Sequence, residues 1–68
     1  MDITKIPTEE LLTDRVESLQ DIQVCRTALA QGITEYSNGK SVQHRLDVNR
    51  EIVVKIDSEL ARRKELKQ

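Results

Sequence analysis

Residues 31–41, Gln-Gly-Ile-Thr-Glu-Tyr-Ser-Asn-Gly-Lys-Ser, divide the chain in two and decide its fold. They hold both glycines of the chain, Gly32 and Gly39. Asn38-Gly39 is a strong turn signal, because both residues tolerate a positive φ. Gly32 is well placed to end a preceding helix, and Ser41 is well placed to cap a following one. The stretch therefore predicts a break between two helices.

The segments on either side of this break have the features of long helices. Pro7 and Thr8 start the first helix, with Thr8 as its N-cap and two glutamates in the first turn, where the helix dipole favours anions. Neither glycine nor proline interrupts residues 11–31 or the chain after Ser41. We predict helices over about residues 8–31 and 41–66, a lead-in over residues 1–7 and a connecting loop over residues 32–40.

Apolar residues recur at intervals of three or four in both segments, which places them on one face of each helix. A connection this short makes two helices antiparallel neighbours. The predicted fold class is all-α, an antiparallel two-helix hairpin that forms a single domain over residues 1–68. The predicted stripes are Leu12, Val16, Leu19, Ile22, Leu29 and Ile33 in the first helix, and Val42, Leu46, Val53, Ile56 and Leu60 in the second.

A chain of 68 residues is marginal as an isolated globule. Small domains usually add a disulfide, a metal or a partner subunit. Cys25 is the single cysteine, so no disulfide can form within the chain, and we expect a reduced, half-buried thiol there. With His44 as the single histidine, a Cys/His metal site is not expected either. We therefore predict that the hairpin completes its core by forming a homo-oligomer, a dimer or larger.

Composition argues against several classes of function. The net charge of −1 gives no general attraction to nucleic acid or to an anionic membrane. No apolar run approaches the roughly 20 residues of a membrane span, and residues 1–7 lack the pattern of a signal peptide. The predicted register keeps Cys25 and His44 apart, so no catalytic pair is expected. We predict a cytoplasmic protein that is not an enzyme and holds no cofactor or metal.

Polar residues interrupt the predicted seam between the helices. Arg26 and Asn49 occupy positions where the spacing calls for apolar side chains. One interpretation is that Arg15 and Arg26 cover the seam with their stems and reach water. Another is that Arg26 and Asn49 form a polar layer that specifies register or oligomeric state; binding of a phosphate or carboxylate by the arginines is a third. In the predicted register Arg26 lies opposite Asn49, Leu29 opposite Leu46, Ile22 opposite Val53 and Leu19 opposite Ile56, with Arg15 near Glu59 and Leu60.

Two further groups of residues are candidate contact surfaces. The β-branched residues Val48, Ile52 and Val54 widen the apolar arc of the second helix, which indicates a surface for a partner. The basic C-terminal end could instead contact phosphates, although acidic residues interrupt it and no aromatic residue is present there to stack on a base. We regard it chiefly as a solvated helix end; its cations are Arg62, Arg63, Lys64 and Lys67.

The middle and end of the chain resemble a group of small tailed-phage proteins. The shared features are Ala28-Leu29-Ala30-Gln31-Gly32, the turn Glu35-Tyr36-Ser37-Asn38-Gly39-Lys40-Ser41-Val42, and the spaced Ile56, Glu59, Leu60, Ala61, Arg62 and Arg63. Over residues 19–63 this pattern resembles the gpW-like head–tail joining group.

The resemblance implies a phage origin, a role in virion assembly and a small β-hairpin between the helices. That hairpin would pair residues 33–36 with residues 40–43, in place of a plain loop. Our leading functional prediction is a phage or prophage accessory protein that binds protein through its helices, either copies of itself or another protein. Head–tail joining is the first alternative, and weak binding of nucleic acid through the basic end is the second.

Overall fold

The chain folds as an all-α, antiparallel two-helix hairpin, as predicted. The computed structural model describes the backbone of residues 2–66 and the side chains of residues 2–64. A short 3₁₀ turn, Ile3–Lys5, precedes helix α1, Thr8–Ala30, and helix α2, Val42–Leu66. The Cα atoms extend over 47 × 21 × 15 Å. The smallest extent leaves room for one layer of helices, so the core is a single seam between α1 and α2.

The N-cap of helix α1 is one residue earlier than predicted. Pro7 is the N-cap, and its carbonyl accepts the first helical hydrogen bond, from the Leu11 amide at 3.1 Å. Thr8, predicted to be the cap, is instead the first helical residue, and its hydroxyl accepts a hydrogen bond from Arg63. Glu9 and Glu10 occupy the first turn, where the helix dipole stabilises their negative charge.

The end of α1 is a Schellman motif built on Gly32. The Ile33 amide donates to the Ala28 carbonyl at 2.9 Å, and the Gly32 amide donates to the Leu29 carbonyl at 3.0 Å. Gly32 has a φ of 83°, a left-handed conformation that favours glycine. The motif reverses the chain, so residues 33–36 run back alongside the helix they have just left.

The connection between the helices is a tight hairpin turn, intermediate between the two predicted alternatives. The Gly39 amide donates to the Tyr36 carbonyl at 2.9 Å, and the Tyr36 amide donates to the Lys40 carbonyl at 2.8 Å. Gly39 has a φ of 81°, as in a three-residue hairpin loop that ends in a glycine bulge. One antiparallel bridge joins Glu35 to Ser41, and no strand forms within residues 2–66. The Ser41 hydroxyl then caps α2 by accepting from the His44 amide at 3.2 Å, as its position predicts.

The reversal at Gly32 shifts the register between the helices by about one turn from the predicted one. Tyr36 reaches back to α1, where its hydroxyl lies 3.1 Å from the Cys25 Sγ. Helix α2 therefore starts beside the C-terminal part of α1, and its own C-terminal part lies beside Thr8. Val42 and Leu46 form a buried cluster with Ile22 and Cys25, and Leu29 packs against it. The shift is seen in Arg15, which pairs with Asp57 and not near Glu59 and Leu60 as predicted. The predicted register assumed a loop that leads straight away from the end of α1.

The buried face of α2 matches the predicted stripe, whereas the buried face of α1 differs from it. On α2 the predicted seam is correct, with Val42, Leu46, Asn49 and Ile56 buried. On α1 the buried face is rotated by one residue in its first half. Its buried residues are Leu11, Ser18, Ile22 and Cys25, whereas Leu12, Val16 and Leu19 are exposed. Cys25 is 1% exposed, so it is fully buried, not half-buried as predicted.

Candidate interaction surfaces

Asn49 lies in the seam, as predicted, but its polar contact is within its own helix. Its side chain is 7% exposed, and Nδ2 donates to the backbone carbonyl of Arg45 at 2.9 Å. Among the described side chains, no hydrogen bond joins Asn49 to Arg26. The amide is therefore satisfied locally, one helical turn back along α2. A role for Asn49 in setting the number of chains stays a prediction.

The two arginines of the predicted seam have different environments. Arg15 is half-buried, and its Nε donates to the Asp57 carboxylate at 2.7 Å. That partner lies almost one turn closer to the loop than the Glu59 and Leu60 neighbourhood we predicted. Arg26 is exposed and forms no ion pair among the described residues. Leaving Arg26 in water avoids the cost of desolvating a charge without a partner.

The predicted partner surface on α2 is exposed, but its three residues do not share one face. Val48 and Ile52 are 40% and 37% exposed and lie on one side of the hairpin. Val54 is 64% exposed and lies about 120° to 160° around the helix from them. Only Val48 and Ile52 can therefore contact the same partner helix.

Next to Ile52, a groove of about 340 Å³ runs between α1, α2 and the N-terminal 3₁₀ turn. Its lining includes apolar residues such as Ile3 and Ile6, and its charged residues are Asp14, Glu17, Asp21 and one cation, Lys55. We call it the acidic groove. It suits an apolar segment that carries basic residues, because its three carboxylates outnumber its single cation.

A second apolar surface lies on α1. Leu12, Val16 and Leu19 are 48%, 53% and 40% exposed, and their spacing places them on one side of the helix. We call these three residues the α1 stripe. We predicted that they would line the intramolecular seam, and the structure corrects that prediction. Ser18 and Cys25 line the seam instead, and their small side chains admit α2 closely.

The basic C-terminal end is largely engaged inside the molecule. Glu59 is 5% exposed and accepts hydrogen bonds from both Arg62 and Arg63, each at 2.7 Å. The Arg63 guanidinium also donates to the Thr8 hydroxyl at 2.9 Å and to the Ile6 carbonyl at 2.6 Å. Two longer bonds of 3.3 Å reach the carbonyls of Ile3 and Thr4. We call this arrangement the Arg63 clasp, because it ties the N-terminal segment to α2.

The clasp sets the charge state of Glu59. The hydrogen bond from Arg62 lowers the pKa of the Glu59 carboxyl from 4.5 to about 2, with Arg63 acting in the same direction. Of the four predicted phosphate contacts, Arg62 and Arg63 are thus paired with a carboxylate, and Lys64 is exposed. Lys67 lies outside the described residues. One carboxylate balances one of the two guanidinium charges, so a single net positive charge remains beside Lys64, which is a weak attraction for a phosphate.

Cys25 and His44 have different surroundings, the first buried in the core and the second exposed. The Cys25 thiol is free and buried, and its hydrogen bond raises the pKa of the Tyr36 hydroxyl above its usual value of 10. His44 is exposed and lines an open hollow of about 640 Å³ near the turn. Within the described residues, no group of three or more His, Cys, Asp or Glu side chains is arranged to hold a metal ion. Neither α1 nor α2 is long and apolar enough, over its described residues, to cross a membrane.

Comparison with family models, curated proteins and solved structures finds no match for this chain. The resemblance to the gpW-like group is therefore still a prediction. The function has to be inferred from the surfaces described above.

The Arg63 clasp and the exposed α1 stripe are the features that the sequence analysis did not predict. The spacing of Glu59, Arg62 and Arg63 places all three side chains on adjacent turns, which is a usable signal for local ion pairs. Nothing in that spacing points to the carbonyls of residues 3–6. The α1 stripe was missed because two neighbouring rows on α1 both have helical spacing.

Proposed function

We propose that this chain is a non-enzymatic assembly module that works by helix–helix binding, first of all to copies of itself. We place it in a phage or prophage, in the host cytoplasm or in the virion. It would act there as an accessory protein and not as a catalyst. Another protein is the alternative partner for the same surfaces.

One observation carries the proposal: more large apolar side chains are exposed than are buried. Within the described residues, eight are between 37% and 64% exposed, whereas the buried apolar core consists of six residues including Cys25. Single exposed aliphatic residues are ordinary, but five of these eight fall into a row on α1 and a pair beside the acidic groove. Covering these surfaces would give the thin core a second layer.

A role at a phage head–tail junction is the second candidate. The feature in its favour is the paired turn between the helices, where the Val42 amide donates to the Thr34 carbonyl at 3.0 Å. The resemblance to the gpW-like group implies a hairpin at this place. Here it amounts to a turn and one bridge, which is why we rank self-association first.

Sedimentation equilibrium at micromolar concentration tests the leading proposal, with a dimer or larger species expected. A folded monomer over the whole concentration range would contradict self-association. Copurification from an infected or lysogenic cell then separates the remaining candidates. Recovery of virion proteins supports the head–tail role, and recovery of a single host protein supports binding to another protein.

A further inference from the structure

The α1 stripe is the centre of a longer row of exposed positions on α1. The row follows intervals of three and four residues, which is the spacing of a coiled-coil seam. Its centre is apolar, and its two ends carry opposite charges. The members of the row, all exposed, are Glu9, Leu12, Val16, Leu19, Gln23 and Arg26.

The charges at the two ends of the row have no ion-pair partner among the described side chains. Among the side chains of residues 2–64, neither Glu9 nor Arg26 forms an ion pair, whereas Arg15, Arg45 and Arg63 each pair with a carboxylate. Glu9 and Arg26 are 17 positions apart along α1. At 1.5 Å per residue, they are separated by about 26 Å along the helix axis.

We propose that this row is the self-association surface, and that a second copy of the chain covers it with its own α1 running antiparallel. The inference rests on the proposed function of self-association. The two-fold axis passes between Val16 and Leu19, so Val16 packs against the partner's Leu19. Leu12 then packs against the partner's Gln23, and Glu9 meets the partner's Arg26 at both ends. Two hairpins joined in this way form a four-helix assembly.

The charges select both this occupant and this direction. A parallel alignment of the same row would place Glu9 beside the partner's Glu9 and Arg26 beside the partner's Arg26, which is repulsive at both ends. The antiparallel alignment turns both contacts into ion pairs. The same row on both copies is then complementary to itself, with an acidic end facing a basic end twice, as an isologous two-fold interface requires.

A charge-swap series in sedimentation equilibrium tests the interface. Arg26→Glu places two carboxylates together at each end, so the dimer dissociation constant should rise on the order of tenfold to a hundredfold. Glu9→Arg should have an effect of similar size. The double variant Glu9→Arg, Arg26→Glu should restore dimerisation, because each pair is re-formed with its signs exchanged. Single variants that dimerise like the natural chain would overturn the proposed surface.

Apolar variants provide a second readout and separate this inference from the proposed function. Val16→Glu should abolish the dimer while helix content and the hairpin itself are retained, because Val16 is 53% exposed in the single chain. Val54→Glu, on the opposite helix and 64% exposed, is the matched control and should leave the dimer intact. A dimer lost on Ile52→Glu but kept in Val16→Glu would overturn this surface and retain self-association. A natural chain that stays monomeric throughout would overturn both.

Discussion

Glu59 and Arg63 are bonded at 2.7 Å across one turn of α2, and the same guanidinium reaches the Ile6 carbonyl at 2.6 Å. Through this one side chain, the end of the second helix holds the segment that precedes the first. Arg63 is 17% exposed and the Glu59 carboxylate 4% exposed, so the contact is shielded from solvent. Buried charges of this kind are favourable only while their partners are present.

Replacement of Arg63 should release the N-terminal segment. Arg63→Met keeps the apolar stem but leaves the carbonyls of residues 3–6 without their donor, and we expect a loss of about 1–3 kcal/mol in the free energy of unfolding. Trypsin should then cut faster after Lys5. Arg62→Met is the matched control, because Arg62 is 49% exposed and bonds to Glu59 without reaching the N-terminal segment. Equal proteolysis of the two variants would show that the segment is held by other contacts.

The stability of the hairpin should fall in acid because of Glu59. The folded-state pKa of this carboxyl is about 2, against 4.5 for the ordinary group. The contribution of Glu59 to the free energy of unfolding is therefore complete above about pH 4.5 and declines as the pH falls toward 2. Urea unfolding at a series of pH values should show this decline in the natural chain and a shallower one in Glu59→Gln. The difference between the two curves isolates Glu59 from the other carboxylates, and parallel curves would contradict its assignment.

Substitutions of Gly39 should destabilise the hairpin because of its left-handed backbone conformation, and not because an added side chain would clash with neighbours. Its φ is 81°, and a Cβ added there would meet nothing within 4 Å. Gly39→Ala should therefore destabilise the hairpin by about 1 kcal/mol, and Gly39→Asn by less, since Asn tolerates the left-handed region. Chemical denaturation measures both. Ser37→Ala, in the same turn and at a negative φ, is the control. Equal losses for Ala and Asn would mean that the left-handed conformation is not what matters.

Asn49→Leu should change the number of associated chains or broaden it into a mixture. A single polar residue in a helical seam characteristically limits the alternative alignments. Stability is a poor readout here, because the lost hydrogen bond and the gained apolar burial are similar in size, each about 1–2 kcal/mol. Sedimentation equilibrium with circular dichroism is the better measurement, and Val53→Leu is the apolar control in the same seam. An unchanged single species would remove any role of Asn49 in specifying stoichiometry.

The chain should not bind duplex DNA at physiological salt. Glu59 balances one of the two guanidinium charges of Arg62 and Arg63, so only a weak, salt-sensitive attraction to the remaining charge and to Lys64 and Lys67 is expected. Fluorescence anisotropy over a range of salt concentrations measures this directly. A complex that persists at physiological salt and is lost on replacing the two lysines would revive the nucleic-acid alternative.

The fold class and the face of α2 could be predicted from the sequence, because they depend on local spacing and on two glycines. The face of α1 could not. Two rows of residues with helical spacing lie side by side, and apolar content alone favours the row through Leu12 and Leu19. The choice between them depends on the reversal at Gly32, on the contact of Tyr36 with Cys25, and on the cost of burying Arg26. None of these three factors is visible in the helical spacing of α1 itself.

The contacts at the turn and the contacts at the termini differ in sequence separation, and this difference predicts the order in which the hairpin folds. Contacts near the turn close short loops: Tyr36 and Cys25 are 11 residues apart, and Arg45 and Asp21 are 24 apart. The Arg63 contact with Ile6 spans 57 residues. Loop closure costs about 0.6 kcal/mol more for each doubling of length, so the turn and its apolar cluster are the natural nucleus. We expect the helices to pair next from the turn toward the termini, and unfolding to begin at the opposite end, at the clasp.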